Sequence, residues 1–127
     1  MMADVIPPLR VAIGEDNTDL AEVLSMLIDL QPDLQCVGHA AASDALQALA
    51  DTAAPDAFVV DLQLGDGSAL PLLQRLRAAR PDCLLIAFSG DGNPLLDAAC
   101  REAGCDALVR KDGRPMAVID TLRQLRR

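Results

Sequence analysis

One histidine, His39, is the only imidazole in this 127-residue chain. Within a single chain that leaves no two-histidine metal site and excludes much ordinary hydrolase chemistry. The cysteines Cys36, Cys83, Cys100 and Cys105 show no C-x-x-C spacing and have no partner histidines nearby, whereas zinc takes several such ligands at short spacing. Each falls in or beside an apolar stretch, where free cysteine behaves as a small hydrophobe, so reduced structural thiols are expected. Tryptophan and tyrosine are absent, and the two phenylalanines, Phe58 and Phe88, fall inside predicted strands. No apolar run approaches the ~20 residues that a membrane span needs. Residues 1–8 have no basic start leading into an apolar core, so they read as an N-terminal tail and not as a signal peptide, and a cytoplasmic location away from the membrane is expected. Positive charge is scarce as well. Eleven Lys and Arg against nineteen Asp and Glu leave a net charge of −8, which argues against direct nucleic-acid contact, because phosphate binding needs clustered cations. The one basic cluster, Arg123, Arg126 and Arg127, sits where it would complement the dipole of a terminal helix.

What is present is a folding sequence. Apolar residues make up 51% of the chain, and the length is typical of one domain able to bury a core unaided. There is no internal repeat, low-complexity stretch or linker; an apolar strand followed by an amphipathic helix recurs instead. Residues 9–13 predict a first strand. The helix over residues 18–29 carries Leu20, Val23, Leu24, Leu27 and Ile28 at helical spacing and stops at Pro32. A weaker strand covers 34–39, and Ser43 can cap a helix presenting Ala45, Leu46 and Leu49. Residues 57–60 form a continuous apolar run ending abruptly at Asp61, the pattern of a strand buried on both faces of a parallel sheet. Ser68 can cap the next helix, with Pro71 in its first turn. A second buried run spans 84–88 and ends at Ser89. A helix after Pro94 carries Leu96, Ala99, Cys100 and Ala103 and stops at Gly104. A last strand over 107–109 and a helix opened by Pro115 complete the chain. Five strands alternating with five helices predict an α/β fold with helices on both faces of a parallel sheet, and the flavodoxin-like strand order 2-1-3-4-5 is the expected topology.

The strand ends carry the chemistry. The first strand is followed by Glu15 and Asp16, the third ends in Asp61, the fourth in Ser89, and the fifth runs into Lys111. In open parallel sheets ligands bind beyond the carboxyl ends of the strands, at the switch in strand order, and strands 1 and 3 flank that point. Three crowded carboxylates repel one another and call for a cation, and an oxygen-only set selects a hard ion, Mg²⁺ better than Ca²⁺ where few protein oxygens are available. Lys111 and Ser89 add an ammonium and a hydroxyl able to hold a phosphoryl group, and a carboxylate such as Asp61 can serve as nucleophile in forming an aspartyl phosphate. Each residue alone has a plainer explanation. Glu15-Asp16-Asn17 could be only a helix start, with Asn17 or Asp16 as cap; Asp61 could be a turn residue, Ser89 a loop hydroxyl and Lys111 a solvated strand end. Their convergence on one sheet edge is what those explanations lack.

Four segments resemble the receiver domain of two-component response regulators over almost the whole chain: Val11-Ala12-Ile13-Gly14-Glu15-Asp16-Asn17, Phe58-Val59-Val60-Asp61-Leu62, Leu85-Ile86-Ala87-Phe88-Ser89, and residues 103–112 ending in Lys111-Asp112. The ending Lys-Asp, in place of Lys-Pro, is similar to receivers that precede helix-turn-helix output domains. The resemblance implies phosphoacceptor signalling without turnover catalysis. Asp61 would take a phosphoryl group from a histidine kinase or phosphotransfer protein. Glu15, Asp16, Asp61 and the backbone carbonyl of Gln63 would hold Mg²⁺, and Ser89 and Lys111 would bind the phosphoryl group. It leaves the downstream protein unknown and homodimerisation open. The expected organisation is one receiver over residues 1–127. Three departures stand out: Leu64-Gly65 replaces Met-Pro, Gly90 replaces a common alanine, and Leu108 occupies the place of a switch aromatic. Leu108, Gly90 and Gly92 are therefore the candidates for signal readout. The alternative is a receiver-fold interaction module that works without phosphorylation. A Mg²⁺-dependent phosphatase with an Asp nucleophile would have a second Asp two residues on, where this chain has Gln63.

Overall fold

A computed structural model describes residues 6–90 and 92–126; Met1–Val5 of the expected tail, Asp91 of the loop after Ser89, and Arg127 of the basic cluster lie outside the described residues. The elements, in chain order, are β1 (Leu9–Gly14), α1 (Thr18–Asp29), β2 (Leu34–Ala40), α2 (Ser43–Ala53), β3 (Ala57–Asp61), β4 (Gln63–Leu64), β5 (Gly67–Ser68), α3 (Leu70–Ala79), β6 (Leu84–Ser89), α4 (Pro94–Ala103), β7 (Ala107–Arg110) and α5 (Met116–Leu125). Strands β2-β1-β3-β6-β7 form one five-stranded sheet whose pairings are all parallel. Apart from the small β4-β5 hairpin this is the expected 2-1-3-4-5 order. Each long strand runs a residue beyond its apolar stretch, so that Gly14, Ala40, Asp61, Ser89 and Arg110 are the last strand residues.

Alternation along the strands splits the core into two layers. Ala12, Phe58, Val60, Leu85 and Ala87 face α2, α3 and α4 through Leu46, Ala50, Leu72, Leu73, Leu76, Cys100 and Ala103. Val11, Ile13, Val59, Ile86 and Phe88 face α1 and α5 through Leu24, Ile28, Val118, Ile119 and Leu122. The helical faces differ slightly from the expected ones. Val23 is exposed while Ala21 is buried on α1, and Ala45 is exposed while Ala50 is buried on α2. On both helices an alanine joins the leucines and isoleucine on the fully buried face.

Two caps also differ. Ser43 is the first residue of α2 rather than its cap. The cap is Ala42, which offers no side-chain hydrogen bond, and the Asp66 carboxylate from the β4-β5 turn accepts from the Ser43 N–H at 3.2 Å instead. Similarly, Ala69 caps α3, and Ser68 Oγ accepts from Leu70 N–H at 3.3 Å. The stop at Gly104 behaves as expected. With φ of 101°, it lets its own N–H reach Arg101 O at 3.0 Å and lets Cys105 N–H reach Cys100 O at 2.9 Å, the paired bonds of a Schellman motif. All four cysteines are free thiols. Burial and the neighbouring Cys100 push the Cys105 thiol up to about 12, so it stays protonated at neutral pH. The described part of the basic cluster is engaged within the chain. Arg123 forks onto both carboxylate oxygens of Asp33 at 2.9 Å, and Arg126 donates to the carbonyls of Asp33 and Pro7.

Arg77 on α3 ties the sheet to the α4-β7 connection. Its guanidinium donates to Gly104 O at 2.9 Å, Pro81 O at 2.8 Å, Cys83 O at 2.9 Å and the Asp106 carboxylate at 2.8 Å, and Asp106 also accepts from Leu85 N–H at 2.9 Å. Removing a charged donor that serves several partly buried acceptors leaves them unpaired. Arg77→Ala is expected to lower stability by about 3 kcal/mol, seen as a lower urea midpoint with an unchanged denaturant slope.

Candidate functional site

The end of β1 shows how the acids are sorted. Gly14 leaves room for close packing there, since a Cβ would lie 2.7 Å from Leu46 Cδ2 and 3.3 Å from Val60 Cγ1 and those side chains would have to shift. The next three residues then divide the work. Glu15 turns inward and is 2% exposed, with its Oε2 accepting from the Asn17 N–H at 3.1 Å. Asn17 caps α1, its Oδ1 accepting from Leu20 N–H at 3.1 Å. Asp16 is exposed and makes no cap. The cap is therefore Asn17, as the helix-start explanation allows, while Glu15 is turned inward away from solvent.

Asp61 ends the central strand and is buried. Its Oδ1 accepts from the Gln63 N–H at 3.0 Å and its Oδ2 from Lys111 Nζ at 2.7 Å. Lys111 Nζ also lies 2.8 Å from Glu15 Oε1, at an angle that leaves that buried oxygen paired in charge but without an aligned hydrogen bond. Glu15, Asp16 and Asp61 each place a carboxylate oxygen within 4.8 Å of the other two. One ammonium thus pairs with two of the three clustered carboxylates. Burial is the main influence on Glu15 and raises its carboxyl above the ordinary value; Lys111 and Asn17 pull it back, while the charge of Asp61 adds to the rise. Partial burial works against the charge of Lys111, but its close pairing with Asp61 and Glu15 outweighs that and keeps the ammonium protonated above the ordinary lysine range.

These oxygens suit a hard dication. They are carboxylates without sulfur or nitrogen, one carries an unfilled acceptor, and three of them already crowd a single point. Ser89 is buried at the end of β6, and its backbone carbonyl accepts from Lys111 N–H at 2.8 Å, which fixes the Lys111 backbone beside the site. Gln63 is exposed, at the start of the hairpin that follows Asp61. Of the Leu64-Gly65 pair that stands in place of Met-Pro, Leu64 ends β4 and Gly65 opens the turn, where its N–H donates to Ala41 O at 3.0 Å, so the loop is anchored without proline.

The readout candidates lie apart from the acids. Leu108 is half-buried against the α2-α3-α4 core layer. A Cβ on Gly90 would meet nothing within 4 Å, whereas one on Gly92 would lie 2.6 Å from Arg110 Nη1. Two contacts escape a reading of the sequence. Arg110 lies over Gly92, with Nη2 3.5 Å from its carbonyl oxygen. The ring of Phe88 carries Lys111 Nζ 5.3 Å from its centroid. The only available signal for the second is that Phe88 precedes Ser89 at a strand end.

A five-stranded flavodoxin-like sheet with acids, hydroxyl and lysine gathered at its carboxyl edge defines a class, the phosphoryl-handling signalling domains. The response regulator receiver domain family matches over residues 11–123, and the chain belongs to that family, the receivers of two-component systems. It is similar to the methanol utilization control regulatory protein MoxX of Paracoccus denitrificans, 27% identical over 93% of this chain and 53% of that protein. It is also similar to the DNA-binding transcriptional activator DevR/DosR of Mycobacterium tuberculosis, 30% identical over 85% of this chain and 50% of that protein. The chain therefore spans about half the length of these relatives. Among solved structures, a LuxR-family DNA-binding response regulator from Staphylococcus aureus shares the fold, with a TM-score of 0.86 and 18% identity over 94% of this chain and 99% of that one. Among the described residues, no helix is long and apolar enough to cross a membrane.

Charge balance at the site makes a prediction for the metal-free protein. A carboxyl that titrates higher in the folded chain than in the unfolded one favours folding in its protonated form. That contribution is full below the ordinary Glu value of 4.5 and is lost as pH rises through the higher folded value. Lys111→Met removes what pulls Glu15 back, so the loss should deepen and extend to higher pH. Urea midpoints in EDTA from about pH 4 to 8 are expected to fall further below wild type as pH rises. A gap that does not change with pH would contradict this balance.

Proposed function

We propose that Asp61 takes a phosphoryl group from the phosphohistidine of a histidine kinase or phosphotransfer protein, and that an unidentified downstream protein reads the result. The observation that carries this is Asp61 itself, a buried carboxylate at the end of the central strand, 2.7 Å from Lys111 Nζ and clustered with Glu15 and Asp16. In the transfer, a carboxylate oxygen of Asp61 attacks phosphorus. A new P–O bond forms as the bond to the donor nitrogen breaks, and the nitrogen keeps the electron pair. Glu15, Asp16, Asp61 and the Gln63 carbonyl would hold Mg²⁺, which supplies charge neutralisation between nucleophile and phosphoryl oxygens. Lys111 pairs with the phosphoryl oxygens and Ser89 hydrogen-bonds one of them. The chain acts on itself and turns over no external substrate. Residues 1–127 serve as one receiver, with residues 1–8 as its tail, and direct nucleic-acid contact is no part of its work.

Readout runs through the loop after β6. Leu108 packs on the core, and turning it outward would cost about 1.5–3 kcal/mol of apolar burial. Gly90 has open space where a side chain would go, and Gly92 lies against the exposed Arg110 side chain. A switch needs two arrangements of similar energy, and this loop offers them more readily than Leu108.

Intact mass after incubation with acetyl phosphate tests the proposal. Wild type should gain one phosphoryl group when Mg²⁺ is present and none in EDTA, and Asp61→Asn should gain none in either. Undiminished labelling of Asp61→Asn would show that the acceptor lies elsewhere, and an unlabelled wild type would favour an interaction module that works without phosphorylation.

A further inference from the structure

Lys111 is the only lysine in the chain, and it has three partners of two kinds. Two are the carboxylates of Asp61 and Glu15, at 2.7 and 2.8 Å. The third is the ring of Phe88, 5.3 Å from the ammonium and within the range of a cation–π contact. Register explains the placement: Phe88 pairs with Asp61 across β3 and β6, so the ring starts from the rung of the sheet that carries the acceptor. Phe88 is 4% exposed and packs in the α1-α5 core layer, so its ring is held from behind.

These partners would fare differently when the site is used. A dication drawing on the oxygens of Glu15 and Asp61 competes directly with the ammonium for them. A phosphoryl group bonded to Asp61 occupies one of its oxygens. The ring has no lone pair to give a metal and no part in the bond that forms, so its attraction for the ammonium survives both events. We propose that Phe88 is a positioning residue, whose ring face keeps the Lys111 ammonium beside Asp61 while the carboxylates turn to metal and phosphorus. The assignment rests on Lys111 being the phosphoryl-binding cation. It gives one of the chain's two phenyl rings a task that a leucine of similar bulk could not perform.

Truncating Phe88 would also open the core, so the test keeps ring size nearly constant. Phenylalanine analogues with one, two and three ring fluorines, encoded at position 88, drain the negative face of the ring in steps. The same series at Phe58, which faces the opposite core layer, is the control for packing. In metal-free protein carrying lysine labelled at the ε-carbon, the single labelled side chain reports on Lys111 alone. Its ε-methylene protons should sit upfield of a free lysine because of the ring current. With Mg²⁺ and acetyl phosphate, the labelling rate should fall stepwise along the position-88 series, by about three- to tenfold at the trifluoro end, and stay level along the position-58 series. An ε-methylene signal at the free-lysine position overturns the contact. A rate indifferent to fluorination at position 88, in protein that is labelled normally, overturns the positioning role. If wild type takes no phosphoryl group, the phosphorylation proposal fails and the positioning role fails with it; the methylene signal then separates a ring contact without that role from no contact at all.

Discussion

Two buried carboxylates, Glu15 and Asp61, share one ammonium, that of Lys111, which lies 2.8 and 2.7 Å from them. Carboxylates of one sign gathered at a buried point would each shed charge by taking up a proton unless a cation stands between them. The direction of the Glu15 shift shows that the balance is not complete: burial and Asp61 still outweigh Lys111 and Asn17. Much of the local architecture supports that arrangement. Gly14 lets β1 pass close to Leu46 and Val60 before Glu15 turns inward. The Gln63 N–H fixes one oxygen of Asp61, and Ser89 O fixes the backbone of Lys111. The strand order sets β1 beside β3 and β3 beside β6, so that residues far apart in sequence end on one edge.

The order of elements and the gathering of acids were legible because both follow from short-range patterns. Continuous apolar runs mark strands buried on both faces, and the chemistry-bearing residues sit directly after them. What was not legible depends on distance through space. Asp66 caps α2 from a two-residue hairpin whose strands are too short to leave a periodicity, so Ser43 looked like the better cap. Val23 and Ala45 fit a helical stripe, yet Ala21 and Ala50 are buried in their stead, because helix rotation is set by packing against the sheet, which spacing alone does not show. Asn17 and Asp16 were equivalent as caps on paper, and the hydrogen bond from Leu20 separates them. The Phe88-Lys111 contact joins residues on different elements and leaves no spacing to read.

The missing switch aromatic shifts attention to what holds the loop after β6. Leu108 is fastened by apolar packing, which loses energy on any outward turn. Gly92 touches the flexible end of an exposed arginine, a contact that can break and reform at little cost. Arg110 and Lys111 are sequence neighbours, so in the proposed function a displacement of Lys111 toward a phosphoryl group would pull on the backbone that carries Arg110.

Lys111 holds the place of a cation at Glu15 and Asp61, so it competes with a dication for their oxygens. Calorimetric titration of Mg²⁺ into wild type and Lys111→Met, at neutral pH and matched ionic strength, tests it most directly. Lys111→Met should bind Mg²⁺ more tightly, because the carboxylates are released and the site gains a negative charge. Equal or weaker binding by the variant would contradict it.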